Sequence, residues 1–266
     1  MDTARRQRKA EAFRALHEGD PFVIPNPWDA GSARVLEQLG FEALATTSSG
    51  FAFTLGRRDG NVTLGETVEH TARVDEATEL PISVDLENGY GADPETAASA
   101  IVGVAEAGAV GGSIEDYDPA GHLYDIDLAV ERVSAAVEAA RGLGFPFVLT
   151  ARAENHIRGN PDLDDTIARL QAYERAGADV LYAPGLRDAA EIKAVCDAVG
   201  RPVNVLAHKG LTVGEIAEAG GTRISVGGAL TWVAINAMAE AAQRIRDDGD
   251  LSVLTGAGQI PEWLRG

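Results

Sequence analysis

The stretch Ile82-Ser83-Val84-Asp85-Leu86-Glu87-Asn88-Gly89-Tyr90-Gly91 decides which fold and which function the rest of the chain predicts. It begins as a short apolar run and ends in two carboxylates, Asp85 and Glu87, before an Asn-Gly pair. The apolar run predicts a buried strand, and the Asn88-Gly89 pair predicts the break that follows it.

Asp85 and Glu87 stand two residues apart at the end of this predicted strand, so their side chains point to the same face. Two like charges held side by side repel each other unless a cation lies between them or one of them is protonated. A hard divalent cation such as Mg²⁺, which prefers oxygen ligands, is the simplest resolution. The alternative is a pair of solvated acids in a loop, because short motifs often occur by chance.

The chain is long and strongly acidic. It has 266 residues, of which 45% are hydrophobic, and this is enough for a full core in one large or two small domains. Its 41 acids and 23 bases give a formal charge of −18, so we expect neither nucleic acid nor an anionic membrane as a partner. An anionic substrate therefore requires local cations at its site.

Cysteine usage and hydropathy predict a cytoplasmic protein. The one cysteine, Cys196, excludes an intramolecular disulfide and fits a reducing compartment. The basic N-terminus lacks the apolar core of a signal peptide, and no apolar stretch reaches the roughly 20 residues that span a bilayer.

Short apolar runs that predict strands alternate with segments that predict helices. The predicted strands cover 22–24, 43–46, 81–84, 110–114, 147–150, 180–182, 203–206 and 223–226, and the main helices cover 30–39, 64–79, 94–107, 127–142, 163–176, 188–199, 212–219 and 229–246. Continuous apolar runs are typical of parallel strands that are buried on both faces, with right-handed crossovers between them. Eight such units have the size of a (β/α)₈ TIM barrel.

The competing architecture, a doubly wound open sheet, usually carries a glycine-rich nucleotide loop, and neither G-x-G-x-x-G after the first strand nor a Walker A sequence is present. We therefore predict one barrel domain over 1–266, with an N-terminal helix over about 4–19 and a C-terminal tail over about 247–266.

The ends of the predicted strands carry the polar residues. In a (β/α)₈ barrel the loops after the strands form one active-site face, so residues far apart in sequence meet there. This convergence favours a metal site over solvated loop acids. The strand ends supply Trp28, Asp29, Ser48, Ser49, Gly50, Asp59, Asp85, Glu87, Glu115, Arg152 and Asn204.

Each of these residues also has a simpler interpretation. The segment 48–50 is either a turn or a set of N–H groups and hydroxyls that bind a carboxylate or an enolate oxygen. Glu115 either caps a helix or, as a third carboxylate, holds metal-bound water. Arg152 either pairs with Glu154 on the surface or acts as a bidentate clamp on a carboxylate.

Three further features are open in the same way. Gly227-Gly228 suits either phosphate binding or tight packing. His122 and Tyr124 are either solvated loop residues or proton donors over the mouth of the barrel. Lys209, one of three lysines and the one that follows a strand, is a Schiff-base candidate.

Six motifs occur in a fixed order along the chain: Asn26-Pro27-Trp28-Asp29-Ala30, Thr46-Thr47-Ser48-Ser49-Gly50, Asp85-Leu86-Glu87-Asn88-Gly89-Tyr90-Gly91, Ile114-Glu115-Asp116, Thr150-Ala151-Arg152 and Val203-Asn204. Over about residues 10–245, this order resembles the isocitrate lyase/phosphoenolpyruvate mutase superfamily. The resemblance implies a (β/α)₈ barrel whose last helix is exchanged with a neighbouring subunit, in a homodimer or homotetramer.

The resemblance also implies Mg²⁺ (or Mn²⁺) and a 2-oxo or 2-hydroxy acid. Asp85 would be the principal metal ligand, with Glu87, Asp59 and Glu115 completing the shell through water. The substrate would be held by Trp28, Ser48, Ser49, Gly50, Arg152 and Asn204, and catalysis would use Arg152, Glu115, His122 and Tyr124.

Two positions depart from the superfamily pattern. Glu87 stands where an aspartate is common. Residues 118–122 (Asp-Pro-Ala-Gly-His) replace the Lys-Lys-Cys-Gly-His run that supplies the catalytic acid for cleavage of isocitrate or methylisocitrate. The lysine and asparagine typical of phosphonopyruvate-handling members are also missing.

The sequence thus predicts a Mg²⁺-dependent lyase or decarboxylase that breaks a carbon–carbon bond in a small 2-oxo or 2-hydroxy (di)carboxylate through an enolate. The alternatives are phosphonopyruvate hydrolase or phosphoenolpyruvate mutase chemistry, a metal-free aldolase that uses Lys209, and a non-catalytic barrel that binds 2-oxo acids.

Overall fold

The computed structural model describes residues 3–264. Residues 1–2 and residues 265–266 lie outside it, and the latter two belong to the predicted tail. The strands, in chain order, are β1 (Phe22–Ile24), β2 (Leu44–Ala45), β3 (Ile82–Asp85), β4 (Gly111–Glu115), β5 (Tyr117–Asp118), β6 (His122–Leu123), β7 (Val148–Arg152), β8 (Val180–Tyr182), β9 (Val203–Leu206) and β10 (Arg223–Ser225). The helices are α1 (Thr3–Leu16), α2 (Ala30–Gln38), α3 (Ser48–Thr54), α4 (Leu64–Ala77), α5 (Pro94–Glu106), α6 (Ile126–Arg141), α7 (Leu163–Ala176), α8 (Ala189–Ala198), α9 (Val213–Glu218), α10 (Ala229–Asp248) and α11 (Ile260–Trp263), with a 3₁₀ helix over Leu251–Val253.

Eight parallel strands form one sheet in the order β1-β10-β9-β8-β7-β4-β3-β2. The two edge strands approach each other as well, since the Ala45 N–H donates to the Pro25 carbonyl at 3.0 Å. The sheet is therefore a nearly closed barrel with helices between its strands, and the predicted (β/α)₈ fold is confirmed.

The N-terminal end of the barrel is closed by an apolar plug. Phe13 of α1 is fully buried together with Ile24, Val148 and Val180. A Cβ atom built on Gly111 would lie 2.6 Å from the Phe13 ring, so the ring approaches the strand backbone at a residue without a side chain. The plug leaves the other end of the barrel, where the strands end, for the polar residues.

Local structure differs from the predictions at two places. The segment 48–50, expected as the end of a strand or a turn, is the first turn of helix α3. The loop after Glu115 contains the antiparallel hairpin formed by β5 and β6.

Helix α10 makes little contact with its own barrel. Of its 20 residues, only Thr231 is buried. Trp232, Val233 and Met238 are 41%, 67% and 59% exposed. Such a face is suited to burial against another surface, but exchange of this helix between subunits stays a prediction. No helix within residues 3–264 is long and apolar enough to cross a membrane.

Helix α3 rests on a buried histidine of α4. The rings of Phe51 and His70 are stacked with centroids 3.9 Å apart, and His70 is 6% exposed. Burial lowers the pKa of His70 to about 4, and its Nε2 atom has no hydrogen-bond partner within the described chain. The histidine therefore supports α3 in its neutral form.

We expect the neutral His70 to make stability depend on pH. Between pH 7 and pH 5 the unfolded chain takes up a proton at this residue and the folded chain does not, so the free energy of unfolding falls by about 1–2 kcal/mol from this group. Urea unfolding at pH 7 and pH 5 measures this loss, which should be smaller in His70→Phe than in the wild type. His122→Asn, which removes an exposed imidazole, should lose as much unfolding free energy between the two pH values as the wild type. A wild-type loss in His70→Phe would contradict the assignment.

Candidate active site

Two adjoining cavities, of about 170 Å³ and 550 Å³, lie at the carboxyl ends of the barrel strands. They share Ser48, Asp59, Arg152 and Ile157. Of the residues predicted for the site, the first cavity is lined by Ser48, Ser49, Asp59, Asp85, Arg152 and Asn204, and the second by Ser48, Asp59, Glu87, Glu115 and Arg152. The barrel thus brings together residues that are more than 150 positions apart, from Ser48 to Asn204.

Arg152, the last residue of β7, joins three carboxylates. Its guanidinium lies 2.9 Å from Asp85, 3.0 Å from Glu115 and 2.7 Å from Glu154. These neighbours hold the pKa of Arg152 above its usual value in spite of its burial. Glu154, considered in the sequence as a surface partner, has a side chain that is only 1% exposed.

Asp85 is fixed by the backbone around it. Its own N–H donates to the Thr46 hydroxyl at 3.0 Å, and the Ser48 N–H donates to its Oδ2 atom at 3.2 Å. The Glu87 N–H donates to Oδ1 at 3.3 Å, the same oxygen that Arg152 contacts. The carboxylate at the end of β3 is therefore held in one orientation between β2, α3 and β7.

Glu87 combines a strained backbone with a partly buried carboxylate. Its backbone has φ of 49°, in the left-handed region that residues other than glycine seldom adopt. Its Oε1 atom is buried without a hydrogen-bond partner within residues 3–264. Burial, together with the nearby charges of Asp85 and Asp59, raises the pKa of Glu87 to about 7. Such a carboxylate is stabilised by a nearby cation.

The acids do not form a closed cage. Within residues 3–264, no three Asp, Glu, His or Cys side chains converge closely enough to ligate one ion directly. Asp59, on an exposed loop, hydrogen-bonds with Ser48. The orphaned oxygen of Glu87 and the all-oxygen donor set fit a hard cation that is held partly through water. This is the arrangement that the resemblance implies for Asp85, Glu87, Asp59 and Glu115.

Glu115, at the end of β4, lies between two arginines. Its carboxylate is 3.0 Å from Arg152 and 3.1 Å from Arg158. Burial nevertheless raises the pKa of Glu115 to about 8, because its desolvation outweighs the attraction of the two guanidinium groups. Arg158 was not predicted, since nothing in the sequence distinguishes it from a surface arginine.

The first turn of α3 presents backbone donors at the cavity. Thr47 caps the helix by accepting from the Gly50 N–H at 3.3 Å, and Ser48 and Ser49 line the cavity. Gly50 faces away from it, since a Cβ atom there would lie 2.6 Å from the Thr231 hydroxyl and 2.9 Å from the Trp28 Cβ. Gly50 and Trp28 thus pack behind α3, where a glycine permits the close approach of α10.

The predicted proton donors lie outside both cavities. His122 is exposed on β6. Tyr124 is 3% exposed, and its hydroxyl accepts a hydrogen bond from the Asn88 amide at 2.9 Å. Lys209 is exposed in the loop after β9 and lines neither cavity. Their catalytic roles stay predictions.

Comparison with known proteins places the chain in a family. The family model described as phosphoenolpyruvate phosphomutase matches residues 13–246, nearly the whole chain. Oxaloacetate decarboxylase of Paraburkholderia xenovorans is 33% identical over 94% of this chain and 90% of its own length.

Two solved structures are similar to the chain in three-dimensional structure as well as in sequence. A protein of Burkholderia cenocepacia J2315, provisionally named a lyase or mutase, is 51% identical with a TM-score of 0.96 and covers 99% of this chain and 98% of that one. Oxaloacetate acetylhydrolase in complex with its product oxalate is 27% identical with a TM-score of 0.87, over 96% of this chain and 93% of that one. The predicted superfamily is confirmed: the chain belongs to the phosphoenolpyruvate phosphomutase family of the isocitrate lyase/phosphoenolpyruvate mutase superfamily.

Proposed function

We propose that the chain is a Mg²⁺-dependent lyase or decarboxylase that breaks a carbon–carbon bond in a small 2-oxo or 2-hydroxy dicarboxylate through an enolate. The observation that carries the proposal is the contact of Arg152 with Asp85 at 2.9 Å, in a cavity shared with the first turn of α3. Relatives named oxaloacetate decarboxylase and oxaloacetate acetylhydrolase support this class of reaction.

The 2-oxo acid end of the substrate would bind between Arg152 and α3. A planar guanidinium matches a carboxylate with two parallel hydrogen bonds, and Arg152 would exchange some of its present contacts with Asp85, Glu115 and Glu154 for those to the substrate. The Ser48 N–H already donates to Asp85, whereas the Ser49 N–H, in the first turn of α3, has no intrahelical acceptor and favours an anionic oxygen. Arg152 thus provides the local cation that a chain with a formal charge of −18 requires in order to bind an acid.

The metal would be held by Asp85, with Glu87, Asp59 and Glu115 acting through water. When bound, Mg²⁺ would polarise the oxo oxygen of the substrate and offset the negative charge that develops there. Glu87 fits this role because its buried Oε1 atom has no hydrogen-bond partner among the described residues.

Cleavage leaves the bonding electron pair on the substrate as an enolate, and Arg152 and the α3 amides would stabilise that charge. The enolate carbon then takes a proton. Glu115 lines the cavity, and burial raises the pKa of its carboxyl group, so Glu115 is a candidate to supply this proton. For His122 or Tyr124 to supply the proton, the hairpin of β5 and β6 would have to fold over the mouth.

The second candidate is hydrolysis or rearrangement of a phosphorus–carbon bond, favoured by the match to the phosphomutase family model. The segment 118–122 lacks the lysine and asparagine that such members carry. Release of phosphate from phosphonopyruvate would support this candidate. Thermal stabilisation by oxalate with Mg²⁺, without turnover of any 2-oxo acid, would instead indicate a binding protein.

Assembly as a homodimer or homotetramer is part of the proposal. The support is α10, whose apolar residues Trp232, Val233 and Met238 stay exposed in the single chain. Light scattering of the purified protein measures the state, and a monomer would rule out the exchange of this helix.

Removal of the metal should abolish turnover. In EDTA we expect no activity above background on oxaloacetate, with recovery on adding Mg²⁺, and Asp85→Asn should lower turnover at least about 100-fold, because metal-assisted charge stabilisation supplies several kcal/mol. Carbon dioxide release and oxalate formation distinguish decarboxylation from hydrolytic cleavage. Asp20→Asn, an exposed acid before β1, is the matched control. Full activity in EDTA would refute the metal mechanism.

The guanidinium fork of Arg152 should be required as well as its charge. We expect Arg152→Lys to lower kcat/KM at least about 100-fold, since an ammonium cannot make two parallel hydrogen bonds to a carboxylate. Arg158→Lys, whose side chain is 40% exposed, should have a much smaller effect. Equal effects of the two substitutions would contradict the assigned role.

A further inference from the structure

A second arginine lies inside the barrel. Arg223, the first residue of β10, is 3% exposed and lines the smaller cavity. Its Nε donates to the Asn204 amide oxygen at 2.9 Å and its Nη1 to the Thr150 hydroxyl at 3.1 Å. These two acceptors occupy two of its five N–H donors.

Arg223 has no counter-charge within the described chain. No carboxylate of residues 3–264 lies within 4.0 Å of its guanidinium, whereas Arg152 contacts three. Burial lowers the pKa of Arg223 to about 10, which shows how strongly its surroundings disfavour the charge. A buried and unpaired charge is costly, and proteins usually pair it or use it. A bound anion would supply the missing partner.

The strand register aligns the two arginines. Arg152 pairs with Tyr182, Tyr182 with Asn204, and Asn204 with Arg223, on four adjacent parallel strands. Residues paired in this way in a parallel sheet point to the same face. All four line the smaller cavity. The cavity therefore has Arg152 on one wall and Arg223 three strands away.

The space between the two walls is polar. The interior of a (β/α)₈ barrel is usually filled with branched apolar side chains. Here it is lined by Ser83, Ser113, Ser225 and Asn204, which leaves a cavity of about 170 Å³. Asn204 orients the arginine, because its amide oxygen accepts from Arg223 while its amide nitrogen donates to Ser225 at 3.0 Å.

We propose that Arg223 binds the second carboxylate of a dicarboxylate substrate whose 2-oxo or 2-hydroxy acid end lies at Arg152. The assignment of that end rests on the proposed function. Arg223 is thereby the residue that selects dicarboxylates over monocarboxylates of the same length, since only the former bring a second negative charge.

The wild-type protein tests the proposal with a pair of ligands of equal length. Malate carries two carboxylates, and its 4-amide replaces the distal one with a neutral group of similar shape. By titration calorimetry with Mg²⁺, we expect the amide to bind about 10- to 100-fold more weakly, the size of one charged hydrogen-bonded contact. Equal affinities would overturn the role of Arg223, whatever the behaviour of any variant.

The variant Arg223→Met should remove the preference for malate over its amide. It should leave the affinity for oxalate unchanged, because oxalate bound at Arg152 is too short to reach residue 223. Arg223→Lys, which keeps the charge, should retain part of the preference, and Arg73→Met, a surface arginine whose side chain is 71% exposed, should retain all of it. Persistence of the full preference in Arg223→Met would overturn the proposal.

Oxalate separates this proposal from the proposed function. If oxalate with Mg²⁺ does not bind the wild-type protein, the assignment of the metal end fails, while the comparison of malate with its amide still decides on Arg223. If oxalate binds and malate and its amide bind equally, the role of Arg223 alone fails. If Arg223→Met does not fold, the wild-type comparison decides by itself.

Discussion

The ion-pair cluster around Arg152 holds the mouth of the barrel together. One guanidinium contacts Asp85, Glu115 and Glu154, which come from the end of β3, the end of β4 and the segment just after β7. Without it, three partly or wholly buried carboxylates would repel one another at close range. The cluster also orients Asp85 and exposes one face of Arg152 to the cavity. The same interaction thus stabilises the strand ends and prepares the site for an acid and a cation.

Balance of charge explains why an acidic protein can bind an acid. The bulk of the surface repels anions, whereas the cavity contains Arg152, Arg223 and the N-terminal turn of α3. Glu87 and Asp59 take part in no ion pair within residues 3–264 and fit a divalent ion. The site therefore has cationic groups beside acids that fit a divalent ion, and a chelating 2-oxo acid has oxygens that can bind both.

The sequence predicted the barrel because eight apolar runs alternate with helical patterns, and most helix bounds agree within two residues with the structure. The short helix α3 was missed, since seven residues that include Ser48, Ser49 and Gly50 carry no helical periodicity. The hairpin of β5 and β6 was missed because strands of two residues are too short to show an alternation of apolar and polar residues. Tertiary contacts accompany the hairpin, among them the guanidinium of Arg158 at 4.0 Å from the centre of the Tyr117 ring. The strand ends located Asp85 and Arg152, whereas the burial of Glu154 and Arg223 depends on register among strands that lie far apart in sequence.

The apolar plug at the other end of the barrel has a kinetic consequence. Phe13, Ile24, Val148 and Val180 form an apolar floor beneath the polar cavity, so residues 3–264 leave no passage along the barrel axis. Reactant and both cleavage fragments must therefore cross the same rim, beside α3 and the hairpin. Departure of the first fragment vacates the space through which water or a second reactant can arrive, so the order in which fragments leave governs the fate of the enolate that stays behind.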